Sequence, residues 1–401
     1  LAHAPGRAFS VAAIVAVAEF LIVAVSAFSL APPARPHEHS SPTGGWTFIA
    51  TFAEPTGIDP SDANTRASLG LSDDAERALA DCTFARLRAS TGDDASCTNL
   101  YAAKQPTVLG LPPGFIKRGG FAFTSHAPLE SIAGEKSPWQ LLERVPAGGS
   151  GQTPIPAILD EATARWALKL GGVGARFQLP DGTGGTQELE IVGLLQPGIL
   201  QGYVLVGERS FERLFPRSSG YAMALVDAGS LAAGAHPDDA AKRRVAAAIG
   251  AAWADAGVTV QPALNRLRSL SAVQNTFLAG FQALGTLGLL LGTAGVGAVQ
   301  IQGVLERKRL FGLLQAVGFS RGRLALLVVL ETLFMVGLGL ASGALAGAAT
   351  LPAHAASGRV GLPLGWLVLT CGLTLVVALL AGLAACGGVL SVEPRETLSD
   401  A

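Results

Sequence analysis

The chain has 401 residues, of which 49% are hydrophobic and only 15% charged, against roughly a quarter charged in an ordinary soluble domain. That deficit points to lipid. The 29 basic and 30 acidic residues nearly cancel, so the overall balance gives no reason to expect nucleic acid as a partner.

The first residue is Leu1 rather than Met, with an apolar run close behind it, so the sequence reads as a processed product or the tail of a longer protein. A helix needs about 20 mostly apolar residues to cross a hydrocarbon core of about 30 Å. From Phe9 to Ala31 the only charged residue is Glu19. Arg7 before this run and Ala24, Ser26 and Ala27 within it also suit a secretory signal, but the apolar core of a signal is typically only about 7–15 residues long. A membrane helix over residues 1–31 is expected.

The following stretch holds Pro32, Pro33 and Pro36, then His37-Glu38-His39 and Ser40-Ser41-Pro42. Proline at this density cannot sustain a helix or a sheet interior, so a solvated linker is expected. The two histidines flanking a glutamate are ligand types, yet in such a stretch they are read as solvated, and no metal site is expected.

Ser72-Asp73-Asp74-Ala75-Glu76 starts a helix, with a capping hydroxyl followed by acids that suit the positive end of the helix dipole. Leu79, Cys82, Phe84 and Leu87 are read as its partial core face. Cys82 and Cys97 flank the turn Thr91-Gly92-Asp93-Asp94, and an oxidising compartment would permit a disulfide between them. Sequence alone does not give their separation. No CxxC spacing occurs, which argues against a zinc or thioredoxin-like site.

Further on, Ile155–Leu159 reads as a strand, and Asp160-Glu161 starts a helix through Trp166 to Leu170. Alternating runs at Arg176–Leu179 and Glu188–Val192, joined across Asp181–Gly185, predict a hairpin. Tyr203–Val206 and Tyr221–Val226 read as strands, Ser210–Phe215 as a short helix and Pro237–Ala256 as a longer one. Together these describe an α+β domain. It contains no GxSxG elbow, no HExxH and no cysteine with an evident histidine partner, so no catalytic residues are expected. No GxxxxGK[ST] loop occurs, and Gly148-Gly149-Ser150-Gly151 and Gly171-Gly172-Val173-Gly174 lack its lysine, so the chain is expected to bind no ATP and no cofactor of its own.

Three more apolar runs follow. Ser269–Leu305 and Val360–Val392 hold no charge, and Leu324–Leu351 holds only Glu331. Gradient coupling would call for several ionisable groups facing one another inside the spans. Glu19 and Glu331 are too few, and both are read as features of helix contact or orientation, Glu331 pairing with Arg323 or a neighbouring helix. Arg7, the cluster Arg307, Lys308, Arg309, Arg321 and Arg323, and Arg395 all fall on one side of the bilayer, which makes that side cytoplasmic.

The expected fold class is therefore a membrane protein with four transmembrane α-helices and a large extracytoplasmic α+β domain inserted between helices 1 and 2. The first helix occupies 1–31, the outer domain 32–268, a stalk and second helix 269–305, a cytoplasmic helix 306–323, the third span 324–351, a short outer loop 352–359, the fourth span 360–392 and a cytoplasmic tail 393–401.

The most specific local signal is the link running from Glu306 to Arg323. Charges open it, while Phe311, Leu313, Leu314 and Val317 need something to pack against, which a plain basic loop would not. This segment resembles the cytoplasmic link of the FtsX/MacB-like permease family, E-R-x-x-E-x-G-x-L-R-A-x-G. Glu306, Arg307, Gly312, Leu314, Ala316 and Gly318 match it, while Leu310 and Gln315 replace a usual Glu and Arg. Glu331 and the pair Pro394 and Leu398 are similar to further positions of the family. The plan of one span, an outer domain and three spans is also similar. More loosely, the stretch from Ile158-Leu159-Asp160 through Gly193–Val206 resembles the family's small β-rich part. Pro5-Gly6-Arg7 resembles the internal second half of duplicated members, which would make this chain the C-terminal half of a longer permease.

The resemblance implies a bacterial inner-membrane protein whose link is a coupling helix docking on a separate cytoplasmic ABC ATPase, the subunit that uses ATP and Mg. Glu306, Arg307, Phe311, Gly312, Leu314, Ala316 and Gly318 would form that contact. It implies a permease homodimer or paired half, with lipoproteins, peptides or drugs as cargo, and a stalk along Leu264–Leu305 whose Gly280, Gly285, Gly288, Gly292, Gly295 and Gly297 allow close helix contacts. The alternatives are a passive membrane receptor or scaffold, or a proton-coupled carrier using Glu19 and Glu331.

Overall fold

Residues 32–273 form one unit, and residues 1–31 with 274–401 form another. The structure is a computed structural model and describes residues 5–28, 33, 35–92, 106–129, 136–144, 154–229, 239–349 and 364–390. Cys97, the loop 352–359 and the tail 393–401, with Arg395, Pro394 and Leu398, lie outside the described residues, as does the Gly148–Gly151 turn.

In chain order the elements are α1 (Pro5–Phe28), β1 (Phe48–Thr56), α2 (Ala63–Ser68), α3 (Asp73–Ala80), β2 (Cys82–Ala89), β3 (Val108–Leu111), α4 (Pro113–Arg118), β4 (Phe123–His126), β5 (Ile155–Asp160), β6 (Arg176–Pro180), β7 (Thr186–Leu195), β8 (Val204–Gly207), α5 (Glu208–Leu214), β9 (Tyr221–Ala228), α6 (Asp239–Ala252) and β10 (Val258–Pro262). Four further helices follow: α7 (Ala263–Glu306), α8 (Lys308–Ala316), α9 (Arg321–Ala349) and α10 (Leu364–Leu390).

Unit 32–273 is built on a mixed sheet with strand order β10-β1-β9-β2-β3-β8-β5-β7-β4, and β6 pairs with β7. Its centre is buried on both faces. β3, β5 and β8 are buried at every position, as continuous apolar runs in parallel pairing require. Alternation divides their side chains: Leu109, Leu111 and Leu205 join one core with Phe115 and Trp139, while Val108, Val204 and Val206 join another with Phe211 and Leu214. A third core lies under α6, whose Val245, Ala248, Ile249 and Ala252 recur at helical spacing and meet Leu79 and Trp253. The Trp253 indole donates to Ile58 O at 3.2 Å and meets Phe52 and Phe84 edge-on.

The expected hairpin forms, with Arg176 opposite Glu190 and Pro180 opposite Thr186. Three expectations for this unit are revised. The helix opened by Ser72 ends at Ala80, and Cys82–Ala89 is a strand paired antiparallel with β9 from Cys82↔Ala228 to Leu87↔Met223. Two faces of one strand had read as one helical stripe: Ala85 and Leu87 enter one core, and Cys82 and Phe84 pack against the other. The helix expected from Asp160 through Leu170 does start at Glu161 but is shorter, α-helical at Glu161 and Ala162 and π-helical over Thr163–Ala167. Asp160 ends β5, is only 2% exposed, and its carboxylate accepts from Thr163 N three residues on and from Gly202 N far along the chain.

The expected solvated linker is the third correction, for it folds against the core from Pro36 onward. Ser41 and Thr43 are buried, and Ser41 Oγ donates to Pro36 O at 2.9 Å. Phe121 N donates to His39 O, while the Arg118 guanidinium stacks 3.9 Å from the Trp46 ring centroid and pairs with Asp227 at 2.7 Å. Hydroxyls that satisfy carbonyls, and one buried tryptophan, supply what the prolines cannot.

In the other unit, Asn275–Glu306 and Arg321–Ala349 are the two helices long and apolar enough to cross a membrane among the described residues. α1 and α10 contain shorter apolar stretches, Ala12–Val25 and Cys371–Ala384. Val15, Ala18 and Ile22 of α1 share a core with Leu289 and Val296 of α7, Val336 and Leu340 of α9 and Ala378 of α10. The closest approach is between α1 and α9, at Gly339, Gly343 and Gly347. A Cβ at Gly339 would lie 2.8 Å from Ala12 O, one at Gly347 2.6 Å from Val23, and one at Gly343 would overlap Ala16 O. This small-residue stripe lets two backbones touch. Along α7, Gly285 and Gly292 also face α1, whereas Gly280, Gly288 and Gly295 face open space.

Candidate functional site

α7 runs 44 residues without interruption, about 66 Å at 1.5 Å per residue. It stops at Arg307, whose φ of −97° and ψ of 11° leave the helical region and turn the chain into α8. The nine residues of α8 end at Ala316, with Val317 as the cap, and Gly318 beyond it has a φ of +106°, open to glycine and strained for other residues. Gly318 N donates to Gln315 O and Phe319 N to Leu314 O, both at 3.0 Å, closing the last turn.

The link has two apolar faces. Phe311, 3% exposed, packs inward with Val304, Leu324 and Val328, and Leu314 lies against the same cluster. Gly312 is also buried, whereas Ala316 and Gly318 are exposed. On the outer face Leu310, Leu313, Val317 and Phe319 are exposed by 51%, 54%, 79% and 45%. Arg309, Arg321 and Arg323 are exposed beside them in the chain. An amphipathic pattern had marked the segment, but its turns had to be placed before inward and outward residues could be told apart.

Glu306 is exposed and its Oε1 accepts from Gln302 Nε2 at 3.3 Å. Arg307 Nη1 donates to Glu331 Oε2 of α9 at 3.4 Å, with the two side chains 29% and 14% exposed. Glu331 thus meets the arginine at the helix break. Arg323, by contrast, is exposed at the start of Glu331's own helix.

Glu19 lies elsewhere in the same unit. It is fully buried on α1; Cys371 Sγ of α10 donates to its Oε1 at 3.2 Å, and Oε2 has no hydrogen-bond partner among the described residues. Each of the two carboxylates therefore has its own contact.

Cys82 carries a free thiol that donates to Ala78 O at 3.2 Å. Burial, with Asp81 and Asp227 nearby, pushes that thiol up to about 11. No group of three or more metal-ligating side chains occurs among the described residues. His37 and His39 belong to the folded segment before Trp46, and Phe121 N is bound to the backbone carbonyl of His39.

Two long apolar helices are joined here by a short amphipathic helix with a basic flank. Comparison with known families gives one similarity: residues 283–394 match the FtsX-like permease C-terminal domain. The match covers the second half of α7, the link, α9 and α10. It implies membrane localisation, an ABC transporter permease component and association with an ABC ATPase. No curated protein matches the chain.

Proposed function

We propose that the chain is a mechanotransmitting permease subunit, through which ATP hydrolysis in a separate cytoplasmic ATPase moves an extracytoplasmic domain. The observation that carries this reading is the outward apolar face of the link, formed by Leu310 and Leu313 of α8 with Val317 and Phe319 just after it. Exposed apolar side chains on a short helix, flanked by arginines, suit a groove on a partner rather than water. Phe311 and Gly312, facing inward, fix the helix, while Glu306, Ala316 and Gly318 flank the contact; Leu314 and Arg307 join it to the following helix.

In this reading α1, α7, α9 and α10 are four spans of an inner-membrane protein, with the link and both ends cytoplasmic and residues 32–268 outside. The subunit works as a homodimer or beside a second permease half, with lipoprotein, peptide or drug as the cargo class. α7, continuous from the outer domain to the link, is the element along which motion travels. The ATPase partner brings ATP and Mg.

The test replaces Leu310, Leu313 and Val317 by Asp, positions whose exposure leaves the fold intact. The triple variant is expected to keep its thermal stability in detergent and to lose retention and stimulation of the ATPase encoded beside it. A passive receptor would keep its function after these changes. A proton-coupled carrier would instead lose function on Glu19→Gln, a change the proposed subunit tolerates.

A further inference from the structure

β3 and β8 are parallel neighbours, in register from Val108↔Val204 to Leu111↔Gly207. Each passes directly into a helix at its carboxyl end, β3 into α4 and β8 into α5. The helices go to opposite faces of the sheet. α4 buries Phe115 and Ile116 in the core that holds Leu109, Leu111 and Leu205, whereas α5 buries Phe211 and Leu214 in the core of Val204 and Val206. Adjacent parallel strands whose following helices diverge in this way define a switch point, the place at which open α/β sheets form ligand crevices.

A crevice is present there. A cleft of about 440 Å³ is lined by residues of α4, α5 and the turn Pro138–Glu143, a volume in the range of small-molecule sites. Leu111, Ile116 and Leu142 give it an apolar lining, and Arg144, Arg209 and Arg213 a cationic one.

Most of the acidic lining is already committed. Arg88 lies 3.1 Å from Glu208 and 3.3 Å from Glu212, and the Tyr221 hydroxyl donates to Glu208 at 3.2 Å. Arg209 and Arg213 are exposed and enter no ion pair among the described residues. Charge therefore favours an anion over a cation, with Glu143 the carboxylate left outside the Arg88 network.

We propose that this cleft binds a small organic carboxylate with an apolar body. Arg209 and Arg213 hold the carboxylate, and the exposed Pro113, above a floor of Leu111, Ile116 and Leu142, meets the body. Ile116 and Leu142 belong to the same core cluster as Ala263, the first residue of α7.

The test is titration calorimetry on the whole chain in detergent, without ATPase, using phenylacetate, phenylacetamide and phenethylammonium. Phenylacetate is expected to bind at a single site, about tenfold tighter than the neutral amide, as charge-assisted hydrogen bonds imply. R209A/R213A should bring phenylacetate down to the level of the amide, R209K/R213K should keep most of the preference, and R217A, outside the cleft, should change nothing. Equal binding of acid and amide, absence of phenylacetate binding, or an unchanged R209A/R213A variant with a native melting curve would each overturn the proposal. Because no ATPase is present, the result is independent of how the link couples.

Discussion

Arg307 ends one long helix and reaches into the next, its Nη1 3.4 Å from Glu331 Oε2. With both side chains largely covered, removing either leaves a charge short of its partner. Arg307→Ala or Glu331→Ala is expected to lower stability by about 1–3 kcal/mol, read as the shift in thermal unfolding in detergent. The double variant should cost less than the sum of the singles. Strict additivity would mean that the pair contributes no coupling.

The glycine stripe of α9 yields a contrast inside one helix. Gly343→Val drives side-chain atoms into Ala16 and Glu19 of α1, whereas Gly337 has open space where its Cβ would stand. Overpacking of this kind costs about 1–3 kcal/mol, so Gly343→Val should melt earlier or fail to accumulate, while Gly337→Ala should behave as the parent. Equal melting of the two variants would show that α1 and α9 do not meet at the stripe.

Asp160 accepts from Thr163 N at 3.0 Å and from Gly202 N at 3.1 Å, and Thr163 Oγ1 also donates to it. Replacing it by Ala removes the shared acceptor of two segments far apart in sequence and leaves Gly202 N its bond to Thr163 Oγ1 at 3.1 Å. A loss of about 2–3 kcal/mol is expected, measured by denaturant unfolding, with Asp160→Asn retaining part of the stability because its oxygen can still accept.

Cys82 gives the pH-dependent case. Its thiol is raised from 9.0 to about 11 by burial first, then by Asp81 and Asp227. The folded state therefore holds this proton more tightly than the unfolded chain. The associated stability is fully present below about pH 9 and is lost as pH rises towards 11. Thiolate is the reactive form, so maleimide labelling of Cys82 near neutral pH should be slow in the folded protein and accelerate on unfolding. Rapid labelling at Cys82 in the native chain would contradict the raised thiol of this half-buried residue.

The elements read correctly from sequence are those whose signal is local. The apolar runs around 275–306 and 321–349, the β6–β7 hairpin across Asp181–Gly185 and the short helix after Val206 each carry their own pattern within a few turns. The link was legible too, because charge, apolar spacing and a terminating glycine lie within one short segment.

β2 was not legible, because Leu79, Cys82, Phe84 and Leu87 fit a helical stripe until β9 supplies a partner that imposes a period of two. The segment before Trp46 looked like a linker because composition records prolines but not the Ser41 and Thr43 hydroxyls closing on Pro36. Distance in sequence hid the rest. Glu19 and Cys371 lie 352 positions apart, and the cleft between α4 and α5 exists because β3 and β8, far apart in the chain, lie side by side. Sequence alone determined which segments are apolar, basic or turning, since those properties reside in neighbouring residues. Tertiary structure decided which face of α8 points outward, which arginine meets Glu331 and where two parallel strands open a crevice, because each depends on partners that chain order does not place together.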